Sequence, residues 1–229
     1  KKMDTESACY ENLPEDILIN VVEINADEGY IVLGRVEFDE IEENEQYIED
    51  LADVELNKFP NIDASFLPET TWEDYEKLFI KLKKLEEAEI IEDADAIIQI
   101  FESKKELIEN VKKIFSQQDF NRSNIKKVDG QLKIFDFEES RQDNAMADMA
   151  TMSIDIRNNE KLSATYKERI QASESYNEEL FNLMTAKRAA LVMYARLYAR
   201  GDEIESAGIP QFVQDNIDAF HEAVDKLAA

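Results

Sequence analysis

Cations, thiols and backbone-breaking residues are scarce in this chain of 229 residues. Its 26 Lys and Arg are set against 52 Asp and Glu, a net charge of −26. A surface of that sign repels nucleic acid and anionic membranes, because both are bound by Lys and Arg meeting phosphate. It can draw in a cationic substrate over the roughly 10 Å that salt leaves unscreened, although a solubilising coat is the plainer explanation. A single cysteine, Cys9, excludes an internal disulfide and suits a reducing cytoplasm. Five Gly and four Pro leave little room for long linkers. The one histidine, His221, falls in the last helical stretch, where surface or packing duty fits better than metal or acid–base work. No apolar run approaches the ~18 residues of a membrane span, and no signal peptide is expected ahead of the acidic start.

What remains is the composition of a folded chain. Hydrophobic residues make up 44%, enough for a large core in one domain or two closely joined lobes. Residues 1–14 read as the tail of a strand and a short helix, with Glu6, Cys9, Tyr10 and Leu13 at helical spacing before Pro14. Two β-rich runs follow, Ile17 to Ile24 and Tyr30 to Phe38, separated by the hairpin signal Asn25-Ala26-Asp27-Glu28-Gly29.

From about residue 42 the pattern is helical. Tyr47, Leu51, Val54 and Leu56 mark one helix, closed near Phe59-Pro60. Thr71-x-x-Asp74 is a capping box opening a helix with Trp72, Tyr75, Phe79, Leu82 and Leu85 on one face, more fitting for a core than for a ligand cage. Ser103-x-x-Glu106 predicts another helix running through Ile114 and Phe115. Tyr176 to Leu197 predicts a long helix stopped by Gly201, and Pro210 opens a terminal one. No repeat, low-complexity tract or sustained heptad is present.

The chemistry concentrates between Gln117 and Asp148. Asp119 is followed five positions on by Asn124. A second acid, Asp136, comes after the turn Val128-Asp129-Gly130-Gln131 and a short apolar strand through Leu132, Ile134 and Phe135. With 52 acids in the chain, Asp-x4-Asn alone arises readily by chance and would describe a solvated acidic loop. The ordered series Asp119, Asn124, Asp136, Phe137, Glu138, Asp148 is much harder to obtain that way. A carboxylate orienting a hydroxyl, with an amide oxygen and a second carboxylate holding Mg²⁺ against nucleotide phosphates, is the polar core of a phosphotransferase site.

This series resembles the aminoglycoside phosphotransferase/choline kinase family of small-molecule kinases. The family pattern is roughly His-Gly-Asp, four residues, Asn, then Ile-Asp-Phe-Glu, Gly-Asp-Pro and Asp-Leu-Ala. Here Ile134-Phe135-Asp136-Phe137-Glu138 is followed in register by Asp143-Asn144-Ala145 and Asp148-Met149-Ala150. The resemblance implies Asp119 as catalytic base, Asn124 and Asp136 as metal ligands, and Asp148 as an acid bracing the catalytic loop. Gln117 stands where the family has a loop-supporting His, and Gly-Asp-Pro is degraded.

The resemblance also implies ATP and Mg²⁺ as cofactors and Glu6 as partner of a phosphate-binding lysine, Lys1 or Lys2. It makes Leu33, Gly34, Arg35 and Val36 the hinge that reads adenine through its backbone. The fold expected is α+β and protein kinase-like. It would have a small β-containing part over residues 1–38, lacking the Gly-rich loop and so apparently truncated at its start, and a helical lobe over 39–229. The function implied is ATP-dependent phosphorylation of a small-molecule hydroxyl in the cytoplasm. Asp202, Glu203, Glu205, Asp215, Asp218 and Glu222 could face a polycation, or simply be surface. An impaired pseudokinase or acidic helical binding module is the alternative, favoured by Gln117 and the degraded motif.

Overall fold

A computed structural model describes residues 2–25, 28, 30–198 and 209–229, the side chains of Lys2 and Met3 excepted. Two compact units emerge, each made from two stretches of chain: residues 1–69 with 113–175, and residues 70–112 with 176–229.

The first unit opens with α1 (Lys2–Asn12). Its inward face carries Ser7, Cys9 and Tyr10, and Tyr10 meets Phe137 edge-to-face at 5.3 Å. Lys2–Asn12 is helical, so among the described residues the expected strand tail is not found; Leu13, buried one residue past the helix end, completes the same apolar stripe. The strands β1 (Val21–Asn25) and β2 (Tyr30–Leu33) pair antiparallel, Ile24 opposite Ile31, and so form the expected hairpin over a shorter span. Of its turn, Ala26, Asp27 and Gly29 lie outside the described residues. The helix α2 (Glu45–Asp53) is capped by Asn44, whose side chain accepts from Tyr47 N at 3.1 Å. It widens into a π turn (Val54–Lys58) and then tightens into a 3-10 turn (Phe59–Asn61) at Pro60, matching the predicted stop.

Two strand pairs then build the region of interest. The strand β3 (Ile114–Ser116) pairs antiparallel with β6 (Arg141–Asp143). Between them, β4 (Ile125–Val128) and β5 (Gln131–Ile134) form a hairpin closed by Asp129 and Gly130 at φ 50° and 77°. Two successive left-handed residues make the turn whose twist matches that of the strands, and Asp-Gly is its favoured pair. Ile134 N donates to Ile17 O at 2.8 Å, and Asp39 N donates to Lys127 O at 2.9 Å, so both outer edges of this hairpin are covered. The helices α6 (Met146–Asp155) and α7 (Glu160–Gln171) complete the unit. Phe59 packs edge-on against Phe115 at 5.0 Å and Phe120 at 5.3 Å, both fully buried, fixing the loop from beneath. Each such ring contributes about 1.5–3 kcal/mol by burial.

The second unit is helical. It holds α3 (Trp72–Glu87), α4 (Ala94–Ser103), α5 (Lys105–Asn110), α8 (Glu178–Met193) with a π turn (Tyr194–Tyr198), and α9 (Gln211–Ala228). The predicted capping box is present: Thr71 N donates to Asp74 Oδ2 at 3.0 Å. The box expected at Ser103 is not. Ser103 Oγ instead donates to Ile100 O at 2.7 Å inside the last turn of α4, a back-bond that ends a helix rather than starting one. Ile114 and Phe115 likewise belong to β3, not to a helix. Val111 turns extended, at φ −69° and ψ 143°, and all three strand residues are buried, so no alternation betrays them. Gly201 and the acids Asp202, Glu203 and Glu205 lie outside the described residues. Asp215 is buried, whereas Asp218, Glu222 and His221 are exposed. Among the described residues no helix is long and apolar enough to cross a membrane.

Candidate active site

The loop from Ser116 to Asn124 connects β3 to β4, and Asp136 follows β5. Gln117 joins these pieces. Its Nε2 donates to Phe135 O at 3.0 Å and to Asp136 O at 2.6 Å, while its Oε1 accepts from Asp119 N at 2.9 Å. Both amide hydrogens and the amide oxygen are thus used in a side chain that is fully buried, which satisfies a group that would otherwise be expensive to desolvate. A glutamine at this position therefore ties the main chain of Asp119 to that of Asp136.

Asn124 closes the loop. Its Nδ2 donates to Asp119 O and to Asp119 Oδ2, each at 3.0 Å, and its main-chain oxygen accepts from Phe135 N at 2.9 Å. Asp119, Asn124 and Asp136 are accordingly brought into one hydrogen-bonded knot. Asp119 and Asn124 are half-buried, and Asp136 is exposed. Gln118 and Asp136 both take left-handed backbone conformations, at φ 68° and 57°. Conformations of this kind in residues other than glycine persist where surrounding contacts enforce them, and they gather at functional sites.

Below the loop lies Asp148, in the first turn of α6. Its two carboxylate oxygens accept from Gln117 N at 3.0 Å and Gln118 N at 2.8 Å. Burial pushes its carboxyl up to about 7, with hydrogen bonds from Ser116, Gln117 and Gln118 pulling down and the Asp143 charge adding to the rise. The degraded motif has its own order: Asn144 is fully buried, and its Oδ1 accepts from Met146 N at 3.0 Å at the start of α6. Gln118 Nε2 bridges Ser116 Oγ at 2.7 Å and Asp143 Oδ2 at 3.2 Å. Beside this network Glu55 is buried in the π turn, where Tyr166 Oη donates to its Oε2 and its Oε1 has no partner. Desolvation raises its carboxyl well above the ordinary range.

The remaining expected residues are placed less tightly. Glu6, half-buried on α1, has its pKa raised by burial first and then by the charges of Asp136 and Glu138. Lys1 and the Lys2 side chain lie outside the described residues. Leu33 ends β2, Gly34 N donates to Asn20 O at 2.7 Å, and Arg35 and Val36 continue towards Phe38, whose ring meets Phe135 at 6.0 Å. A Cβ on Gly34 would stand 3.2 Å from Asn20 O and 3.1 Å from its Nδ2, so the close approach at this turn favours glycine.

The donor set suits a hard cation. Asn124 turns its amide nitrogen to Asp119, leaving Oδ1 as the oxygen donor, and Asp136 adds an exposed carboxylate. Among the described residues no three His, Cys, Asp or Glu side chains form a metal cage. Mg²⁺ is ordinarily held by one or two carboxylates together with substrate phosphates, so these two oxygens would be a donor set of the right kind.

This loop, hairpin and acid-bearing helix are the central parts of a protein kinase-like α+β fold, and the solved structures that the chain matches have that fold. The choline kinase LicA from Streptococcus pneumoniae superposes with a TM-score of 0.66 at 14% identity, over 100% of this chain and 80% of that one. The ADP-bound aminoglycoside phosphotransferase APH(2'')-Ib gives 0.63 at 14% identity, over 96% and 83%. An ethanolamine kinase from Plasmodium vivax gives 0.59 at 14% identity, over 97% and 70%. Related structures hold AMP, or streptomycin with ATP. No protein-family model and no curated protein sequence matches the chain. The fold is that of the choline and aminoglycoside kinases, as the motif resemblance implied.

Proposed function

We propose that this protein is an ATP- and Mg²⁺-dependent phosphotransferase that phosphorylates a hydroxyl of a small molecule. The observation that carries the reading is the Asp119–Asn124 hydrogen bond, held in one knot with Asp136 through Gln117. Asn124 fixes the Asp119 carboxylate through Oδ2. From that position Asp119 would orient the acceptor hydroxyl and take its proton as the new O–P bond forms and the bond from the γ-phosphorus to the β–γ bridging oxygen breaks, releasing ADP. Asn124 Oδ1 and the Asp136 carboxylate would hold Mg²⁺, which when bound neutralises charge on the phosphates. Catalysis of this type asks the protein for positioning and charge stabilisation rather than covalent chemistry. Residues 1–38 would then supply the β part and the adenine-reading hinge, with Leu33, Gly34, Arg35 and Val36 at the crossing, Glu6 as the helix acid and Lys2 as the phosphate-binding candidate. Residues 39–229 would supply the catalytic and acceptor-binding lobe. A cationic acceptor agrees with the net charge of −26, and a reducing cytoplasm with the single cysteine.

Mg·ATP at 100 times its Kd should stabilise the protein by about 2.7 kcal/mol in a thermal-shift titration. Asp119→Asn should then lower turnover by about 10²–10⁴-fold while sparing nucleotide affinity. Absence of both the thermal shift and any ADP release across an acceptor screen would replace this reading with the impaired pseudokinase or binding module.

A further inference from the structure

One charged cluster has no place in the reading above. Arg122 lies between Asp119 and Asn124 and opens the short 3-10 turn Arg122–Asn124. Its main-chain N donates to Asp155 Oδ2 at 3.0 Å, its Nε to the same oxygen at 2.8 Å, and its Nη2 to Asp155 O at 2.8 Å. On the other side Nη1 donates to Glu43 Oε1 at 2.6 Å, just ahead of the Asn44 cap of α2. Asp155 closes α6, two turns after Asp148 and on the same face. A carboxylate at the C-terminal end of a helix has the wrong sign for the helix dipole. Asp155 is therefore poorly placed for stability by itself, and the Arg122 guanidinium neutralises it. The planar fork of arginine makes this geometry, which the point charge of lysine cannot reproduce.

The consequence concerns the loop. Asp148 accepts main-chain N–H groups from Gln117 and Gln118 at one end, and Asp155 accepts that of Arg122 at the other. Phe120 is buried between them against Phe59. Inside this span Asn121 ties down the turn, with Asn124 N donating to Asn121 O at 3.0 Å and Asn121 Nδ2 donating to Asp119 O at 2.9 Å. The helix α6 thus grips the loop at two points, and at the second the Arg122 side chain adds to the main-chain bond.

We propose that Arg122 is a positioning residue for phosphoryl transfer, joining Asp155 and Glu43 so that Asn124 and Asp119 stay in reacting geometry. The proposal rests on the phosphotransferase reading and names a residue that reading does not require. It is tested on the full chain with Arg122→Ala, Arg122→Lys and Asp155→Asn, by amide hydrogen exchange over residues 117–128 and by the Mg²⁺ dependence of ADP release. In Arg122→Ala the loop amides should exchange about tenfold faster or more, with α9 unchanged. The Mg²⁺ concentration for half-maximal turnover should rise about tenfold, because a loosened Asn124 holds the ion less well. Arg122→Lys should fall between Arg122→Ala and the parent chain, and Asp155→Asn should repeat the loop effect should Arg122→Ala fail to fold. Loop exchange equal to the parent's, or an unmoved Mg²⁺ dependence, overturns the proposal. A parent chain that neither binds Mg·ATP nor releases ADP overturns the underlying function, and that is visible before any variant is made; the exchange measurement then still decides whether Arg122 holds the loop.

Discussion

The two compact units solve opposite problems. The first buries polar groups in quantity: Ser116, Gln117, Asp143, Asn144 and Asp148 are all 3% exposed or less. The second keeps most of its charges outside, Asp215 excepted, in pairs such as Lys104–Glu179 at 2.5 Å, and is held by apolar helix faces, with Tyr75, Leu82, Leu85 and Phe101 buried. A buried polar group stabilises little when paired and destabilises strongly when left unpaired, whereas a surface pair matters little either way. The first unit is therefore built to keep a geometry and the second to remain folded. In the first, mutational sensitivity should follow hydrogen bonds; in the second, it should follow apolar volume.

That contrast can be broken experimentally. The largest effect is expected at Asp148. Replacing it with Ala strips acceptors from Gln117 N and Gln118 N, and charge-assisted bonds contribute about 1.5–3 kcal/mol each. Denaturant titration should show a loss of at least about 2 kcal/mol, together with loss of turnover. Its pH dependence sharpens the point. The folded carboxyl titrates near 7, above the ordinary carboxylate value, so its contribution is fully present below pH ~4 and is lost as pH rises through about 7. Stability measured from pH 4 to 8 should fall more steeply in the parent chain than in Asp148→Asn, and equal slopes would contradict the assignment.

Next in size is Tyr166→Phe. It removes the donor to Glu55 Oε2 and leaves a second buried oxygen unpaired beside Oε1, at about 1–3 kcal/mol in the unfolding free energy. The smallest effect belongs to the second unit. Lys104→Ala breaks the bridge to Glu179 and should change stability by no more than about 0.5 kcal/mol. A change as large as that of Tyr166→Phe would erase the distinction between the units.

Much of the local structure was legible in the chain. The Asp129-Gly130 turn, the Thr71–Asp74 box and the helices over 45–53, 72–87, 178–193 and 211–228 follow signals acting over four residues or fewer. Ser103 shows how far such signals reach: the same Ser-x-x-Glu spelling opens a helix or, with the hydroxyl turned back, closes one. The strand at Ile114–Ser116 was hidden because its partner, residues 141–143, lies well beyond any local window. Arg122, Glu43 and Asp155 carried no signal beyond being three charges in a heavily charged chain. Only a helix known to span 146–155 would have put Asp155 on the same face as Asp148.

By itself the sequence determined the sign of the surface, the Asp129-Gly130 turn and the Thr71 cap, and the order in which Asp119, Asn124 and Asp136 appear. Those properties depend on residue type and near neighbours alone. The tertiary structure decided that Gln117 would join the Asp119 and Asp136 main chains, that Asp148 would be buried with a carboxyl titrating near 7, and that Arg122 would meet partners 79 and 33 residues away. Hydrogen bonds and desolvation act through space, and only the folded chain brings those groups within their reach.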